Sequence, residues 1–215
     1  MIAEELSKNQ TVKCFRLYSQ HTVDTNLLLS SLQNSERSVF EVIDLSMPNG
    51  GYQKLGLAAA AVVSQMPLLK YLDLTGFEPK VLSGIFSTLL GSSSLLQQLK
   101  LGTAIDNDET LLGFGSLLAT NTSMKVFEMS NKYTISVDEW SSFFRLMQSS
   151  ALEEVCLRAI QSDTLFNFLT SNQAIRVLKI SGWSPRSMAD FTSFISMLRS
   201  HSFLEQDDSW ALILL

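Results

Sequence analysis

Residues 69–74 read Leu-Lys-Tyr-Leu-Asp-Leu, and residues 96–101 read Leu-Gln-Gln-Leu-Lys-Leu. Both hexapeptides carry an apolar residue at the first, fourth and sixth positions, and this spacing recurs along the chain at steps of about 28 residues. The sets are Val12/Phe15/Leu17, Phe40/Ile43/Leu45, Leu69/Leu72/Leu74, Leu96/Leu99/Leu101, Met124/Phe127/Met129, Leu152/Val155/Leu157 and Ile175/Leu178/Ile180. Because apolar residues alternate with other residues in the second half of each set, every set predicts a short strand with one buried face.

A second apolar pattern precedes the strands at helical spacing. Two sets of equivalent residues illustrate it: Phe114, Leu117 and Leu118, and Leu165, Phe168 and Leu169. The i, i+3, i+4 spacing is the apolar stripe of an amphipathic helix, so each unit is predicted to contain one strand and one helix. Ser142 and Arg145 interrupt the stripe in one unit, where Phe143 and Met147 can replace them.

Capping residues lie where the repeat predicts helix ends. Ser136 and Glu139 have the spacing of a capping box, and Ser184-Pro185 has the order of an N-cap followed by proline at the first helical position. Asn121 follows the end of another predicted helix, where asparagine or glycine favours termination. The helix boundaries therefore agree with the step of the strand pattern.

A unit of one strand and one helix cannot bury its own apolar face, whereas a stack of such units can. The sequence thus predicts an α/β solenoid with a parallel inner sheet and outer helices. Strands pack about 4.8 Å apart and helices about 10 Å apart, and this mismatch is expected to bend the array into a horseshoe.

The hexapeptides at 69–74 and 96–101, with a helix in each unit, resemble the ribonuclease-inhibitor-like leucine-rich repeats. The resemblance implies about seven complete repeats and a partial eighth, and it covers nearly the whole chain. One feature departs from that family. The asparagine or cysteine usually found three residues after the strand is replaced by Pro48, Phe77, Ala104, Lys132, Ile160 and Trp183.

Three segments are predicted. Residues 1–11 form a polar segment or weak cap, residues 12–203 form the leucine-rich-repeat domain, and residues 204–215 form a partial repeat or tail. Leu204 continues the phase of the repeat, but Asp207 and Ser209 occupy the next core positions. Either the tail folds back as an improvised cap or the array belongs to a longer protein, and the abrupt loss of the pattern favours the second interpretation.

Composition restricts the possible partners. The chain has 215 residues, 46% of them hydrophobic and 17% charged, with a formal net charge of −5. This balance argues against binding to nucleic acid or to an anionic membrane surface. Cys14 and Cys156 are too few for a disulfide framework, and the first twenty residues contain no apolar run of signal-peptide length. We therefore expect a cytoplasmic monomer.

Residues between the buried positions of each strand should point into the concave face of the horseshoe, which the resemblance implies as the contact surface. Their mixed charge suits a polar protein partner. The predicted partner-binding residues are Arg16, Tyr18, Asp44, Tyr71, Asp73, Lys100, Glu128, Glu154, Arg158 and Lys179. Tyr18, Tyr71 and Arg158 are the preferred anchors, because Tyr and Arg are enriched among residues that dominate binding energy.

Nothing in the spacing predicts catalysis. His21 and His201, the only histidines, lie in opposite terminal repeats, and no metal-ligand spacing occurs. We expect no cofactor, no metal and no enzymatic activity, and interpret the chain as a protein-binding scaffold whose partner is not identified. Two alternatives stay open: a regulator of a partner enzyme, of the GTPase-activating or inhibitor type, and a fragment of a larger leucine-rich-repeat receptor or adaptor.

Overall fold

Ten segments of the chain are described by a computed structural model. They are residues 11–17, 39–46, 66–75, 95–103, 108–130, 136–158, 164–172, 174–181, 187–200 and 211–214. The segments that join the first four strands, where the sequence predicts further helices, lie outside these residues.

The described strands form one all-parallel sheet whose spatial order is the order of the sequence. They are β1 (Cys14–Arg16), β2 (Val42–Asp44), β3 (Tyr71–Leu74), β4 (Gln98–Thr103), β5 (Val126–Ser130), β6 (Glu154–Arg158), β7 (Val177–Ser181) and β8 (Ala211–Leu214). Each strand therefore pairs with the strands of the preceding and following units, as expected when each unit covers its neighbour.

The pairing register of the first seven strands follows the sequence pattern. Equivalent positions of successive sets lie opposite one another, beginning with Cys14 opposite Val42 and Val42 opposite Tyr71. The same alignment continues to Val177 in β7. Parallel pairing of equivalent residues places all the apolar positions on one face of the sheet, and this confirms the predicted strand alignment.

That face forms the core. From Phe40 to Ile180, every apolar residue of the repeating pattern is at most 3% exposed. The first set differs: Val12 is 52% exposed, and Phe15 and Leu17 are only partly buried. The prediction that Val12 is buried is therefore wrong, because β1 is the edge strand of the sheet and is covered by β2 on one side only.

Helices of the described residues precede four of the strands: α1 (Asp108–Thr120), α2 (Val137–Met147), α3 (Thr164–Ser171) and α4 (Met188–Ser200). Their buried residues belong to the same core as the strands, and the ring of Phe114 in α1 lies 5.0 Å from that of Phe127 in β5. Each helix packs beside the next helix in sequence. In α2, Phe143 and Met147 are buried whereas Arg145 is exposed, which confirms the shifted stripe.

The cap at Ser136 is confirmed. Its hydroxyl accepts a hydrogen bond from the backbone N–H of Glu139 at 3.2 Å, and the Glu139 carboxylate accepts one from the Ser136 N–H at 2.6 Å. The predicted start at Ser184-Pro185 lies outside the described residues. In the structure α4 begins at Met188, and the Ser187 hydroxyl accepts from the N–H of Asp190 at 3.1 Å. Ser187 therefore occupies the N-cap position.

Asn121 ends α1 by hydrogen bonding. Its buried side-chain oxygen accepts from the backbone N–H groups of Ser123 and Met124, at 2.9 and 2.7 Å. Asn172 follows α3 in the same way and accepts from the N–H of Ala174 at 2.9 Å. These bonds fix the turn from helix to strand, so they help to set the position of the strand that follows.

Two features depart from the repeat. A bulge at Gly102 places Thr103, and not Gly102, opposite Ser130. At the other end, Ala211 lies opposite Val177. The strand that pairs with β7 is therefore formed by the apolar residues at 211–214, which come later than an unbroken step from Leu204 would place them.

Candidate functional site

Opposite the core, the sheet presents the alternate residues of its strands, which we call the polar face. On β1 to β7 it includes Cys14, Arg16, Val42, Asp44, Tyr71, Asp73, Gln98, Lys100, Val126, Glu128, Glu154, Cys156, Val177 and Lys179, and it continues at Ser130, Arg158 and Ser181 on β5 to β7. Because the strands pair in register, equivalent residues of successive strands form straight columns across the sheet. The second column begins at Arg16 and ends at Lys179.

Oppositely charged residues of the polar face pair across neighbouring strands. Arg16 Nε lies 3.8 Å from Asp44 Oδ2, and Lys100 Nζ lies 3.3 Å from Glu128 Oε2. Lys179 Nζ donates a hydrogen bond to Glu154 Oε1, and this bond is the main reason why the pKa of Lys179 is raised. The polar face therefore carries charges of both signs, and these largely compensate one another.

Asp44 and Asp73 are the exception on this face. They lie opposite each other on β2 and β3, and their exposed fractions are only 6% and 5%. These two predicted site residues are therefore largely shielded from solvent. Arg16 is exposed, and the other predicted site residues with described side chains are half-buried.

Hydrogen bonds hold the Asp73 carboxylate in place. Its Oδ1 accepts from the backbone N–H and the hydroxyl of Thr75, at 2.9 and 2.8 Å, and its Oδ2 accepts from the Tyr71 hydroxyl at 3.4 Å. Burial raises the pKa of Asp73, and the charge of Asp44 raises it further. The bonds from Thr75 and the charge of Lys100 lower it, but they do not offset burial.

Two of the three preferred anchors are not defined by the structure. Tyr18 lies outside the described residues, and Arg158 lies in β6 but its side chain is outside them. Tyr71 is half-buried and its hydroxyl contacts Asp73, so its ring orientation is fixed by the face itself. Cys14 and Cys156 form no disulfide and lie on β1 and β6, too far apart in the strand order to bridge.

A second set of charged residues, missed by the sequence analysis, lies just before the strands. It consists of the second residue of each hexapeptide, which we call the rim row: Lys13, Glu41, Lys70, Gln97, Lys125, Glu153 and Arg176. The backbone N–H of each member donates to the carbonyl of the preceding member, at 2.7–2.8 Å. This ladder keeps the side chains about one strand spacing apart.

Each carboxylate of the rim row lies between two cations. Lys13 Nζ and Lys70 Nζ both lie 2.7 Å from carboxylate oxygens of Glu41, and these bonds lower the pKa of Glu41 to about 2. Lys125 Nζ lies 2.9 Å from Glu153 Oε1, and this bond, with a smaller contribution from Arg176, lowers the pKa of Glu153. The charges at this repeat position alternate in sign along the sequence, so the rim row could have been recognised from the sequence alone.

No known protein-family model matches the chain, and no curated protein matches it. In the part of the chain that the structure describes, no helix is long and apolar enough to cross a membrane. Within the same residues, no group of three or more His, Cys, Asp or Glu side chains is placed to hold a metal ion. The function must therefore be argued from the geometry of the polar face and the rim row.

Proposed function

We propose that the chain is a leucine-rich-repeat solenoid of the ribonuclease-inhibitor-like type, with the polar face on its concave side. Three observations support this: the step of about 28 residues, the parallel pairing of every strand with its sequence neighbours, and the joint core of strands and helices. In such an array, the wider helices lie outside and the closely spaced strands inside.

The function is that of a non-catalytic cytoplasmic scaffold, which as a monomer holds a protein partner on the polar face. The observation that carries this proposal is the in-register column from Arg16 to Lys179, which contains charges of both signs and runs beside Tyr71 and Gln98 of the other column. A surface of mixed charge selects a partner with the complementary pattern and rejects polyanions and purely apolar ligands.

Tyr71 is the central anchor of this surface. A tyrosine contributes large contact area at a low cost in side-chain entropy, and its hydroxyl contact with Asp73 restricts it further before binding. Lys100 and Glu128 lie on the next strands and supply charge of both signs. Because both are half-buried, their pairing with a partner is screened less than that of fully exposed residues.

Affinity capture from native cell extract, followed by mass spectrometry, tests the proposal. We expect a partner that binds the wild-type chain and is lost from a folded Tyr71→Ala, Glu128→Lys variant. The matched control is Arg145→Glu, Arg199→Glu, which changes two exposed helix residues and should capture the same partner. Loss from the control, with retention by the Tyr71 variant, would place binding on the helices and contradict the proposal.

A scaffold differs from a regulator in its effect on the partner's own chemistry. We expect the turnover of a captured enzyme to be the same with and without a saturating amount of the chain. A change of turnover that is lost in the Tyr71→Ala, Glu128→Lys variant would instead identify the polar face as a regulatory surface.

A further inference from the structure

The rim row adjoins two exposed leucines. Leu68 and Leu95 occupy equivalent positions two residues before Lys70 and Gln97, and they are 42% and 48% exposed. The equivalent residues of the other units are smaller: Thr11, Val39, Ser123, Ala151 and Ala174. Large apolar side chains are therefore concentrated at two adjacent units, beside the centre of the row. We call Leu68, Lys70, Leu95, Gln97 and Lys125 the rim patch.

Charge along the row is not balanced. Its four cations face two carboxylates, so the row has a net positive charge in a chain whose formal net charge is −5. Glu41 is shared by Lys13 and Lys70, and Glu153 is shared by Lys125 and Arg176. The central unit has the neutral Gln97, which lies between Lys70 and Lys125. These two ammonium groups therefore flank the exposed leucines.

The ion pairs of the row can be exchanged at little cost. Exposed salt bridges contribute little to stability, because both partners are well solvated when apart. The ammonium groups of Lys70 and Lys125 can thus form bonds with carboxylates of a partner while Glu41 and Glu153 keep Lys13 and Arg176. The backbone ladder holds the two lysines about 10 Å apart, at two strand spacings.

We propose that the rim patch is a second binding surface, for an acidic protein segment that places apolar side chains between carboxylates. Its leucines contact Leu68 and Leu95, and its carboxylates bind Lys70 and Lys125. The negative charge of the rest of the chain repels such a segment elsewhere and directs it to the rim. A nucleic acid is disfavoured, because Glu41 and Glu153 interrupt the cations and the exposed leucines offer nothing to phosphates.

This surface is separate from the polar face and does not depend on it. Rim-row residues stand immediately before the strands, and the alternate residues within the strands form the polar face. The proposal can therefore fail while the polar face still binds a partner, or hold while the polar face binds none.

Fluorescence anisotropy with defined peptides tests the proposal on the whole chain. The probe is a short labelled peptide in which two leucines lie between two glutamates. One control peptide replaces its leucines by serine, and the other replaces its glutamates by lysine. We expect the probe to bind at least roughly tenfold more tightly than either control, and its binding to weaken as salt screens the lysines. Equal binding of all three peptides, or of none, would overturn the proposal.

Variants locate the binding site. Lys70→Glu with Lys125→Glu should weaken binding of the probe by roughly tenfold or more. Arg145→Glu with Arg199→Glu, which has the same change in net charge on the helices, should leave it unchanged. Leu68→Ser with Leu95→Ser removes no charge and changes no buried core residue, so it should weaken binding in a folded protein. Equal effects of the two charge variants would show a net-charge effect and overturn the proposal.

Amide chemical shifts give an independent readout. On addition of the probe, we expect changes at residues 66–70, 95–97 and 123–125 of the isotope-labelled chain. Changes confined to the strands of the polar face would contradict the assignment. Displacement of the probe by duplex DNA at equal charge concentration would also overturn it, in favour of a polyanion site.

Discussion

Gly102 and Gly113 differ in what surrounds them. A Cβ added at Gly102 would overlap the backbone carbonyl of Thr75, the residue after β3, whereas one added at Gly113 in α1 meets nothing within 4 Å. Because the overlapping atoms at Thr75 belong to the backbone, no side-chain rotation can relieve the overlap.

Alanine substitution at these glycines should have opposite effects. Gly102→Ala forces β3 and β4 apart and is expected to lower the free energy of unfolding by about 1–3 kcal/mol. Gly113→Ala removes a flexible residue from a helix interior and should raise that free energy by about 0.5–1 kcal/mol. Urea unfolding of the three proteins measures both changes. The same sign for both would contradict the close approach at Gly102.

Asp73 is predicted to oppose folding when it is ionised. Its folded-state pKa is raised above the unfolded value of 3.8, chiefly by burial. The unfavourable contribution is therefore fully present above the folded pKa and disappears as the pH falls below 3.8. Asp73→Asn keeps an oxygen that can accept from Thr75 but removes the charge. We expect this variant to be more stable than wild type at pH 7 and equal to it below pH 3.8.

Thermal unfolding at a series of pH values measures this difference. The direction of the stability difference separates two cases, because a carboxylate stabilised by its ion pairs would make wild type more stable than the variant at pH 7. A variant less stable than wild type at pH 7, with the deficit lost in acid, would mean that Lys100 and the bonds from Thr75 outweigh burial at Asp73.

At the scale of single elements, an aromatic cluster joins α2 to α3. Phe144 stacks on Trp140 with ring centroids 5.4 Å apart and on Phe168 of α3 at 5.2 Å. Phe144 is fully buried, whereas Phe191 on α4 is 43% exposed. Replacing either phenylalanine by alanine removes the same atoms, but only the replacement at Phe144 should leave a buried cavity.

Phe144→Ala should lower the free energy of unfolding by about 3–5 kcal/mol, because it leaves a cavity between two helices. Phe191→Ala should lower it by less than about 1 kcal/mol. Chemical denaturation monitored by circular dichroism gives both values. Similar losses for the two variants would show that α2 and α3 are not held together by this cluster.

The secondary-structure elements differ in how accurately the sequence pattern predicts their position and pairing. The strands of β2 to β7 followed from alternating apolar residues that recur at steps of 27–29 residues and, before β7, of 23, because one buried face fixes which residues pair. The pattern distinguishes apolar from polar positions only, so it could not show that Asp44 and Asp73 are buried. It could not place the bulge at Gly102 either, since the apolar positions of that unit keep their spacing.

On the scale of the whole molecule, contacts between the described elements join units that are neighbours in sequence. The stability of such an array is approximately a sum over units and their interfaces, and a terminal unit has one interface where an inner unit has two. The same reasoning explains why the sequence pattern predicts the first and last strands of the sheet less well than the inner ones. Val12 retains the apolar type but is 52% exposed, since β1 has only β2 as a described neighbour, and the described residues that pair with β7 are 211–214.

Native-state hydrogen exchange should therefore show a gradient along the array. We expect the amides of β4, β5 and β6 to exchange most slowly, since these strands have neighbours on both sides and helices with fully buried residues such as Phe114, Phe143 and Leu165. Amides of β1 should exchange faster, because Val12 and Cys14 are exposed and one edge of the strand carries no described partner.

The variant Phe144→Ala gives a second test of the same model. It should accelerate exchange most in α2, α3 and the adjoining strands β5 to β7. Protection that is uniform from β1 to β7, and that falls uniformly in the variant, would mean that the molecule opens only as one cooperative unit and would contradict a stack of separable repeats.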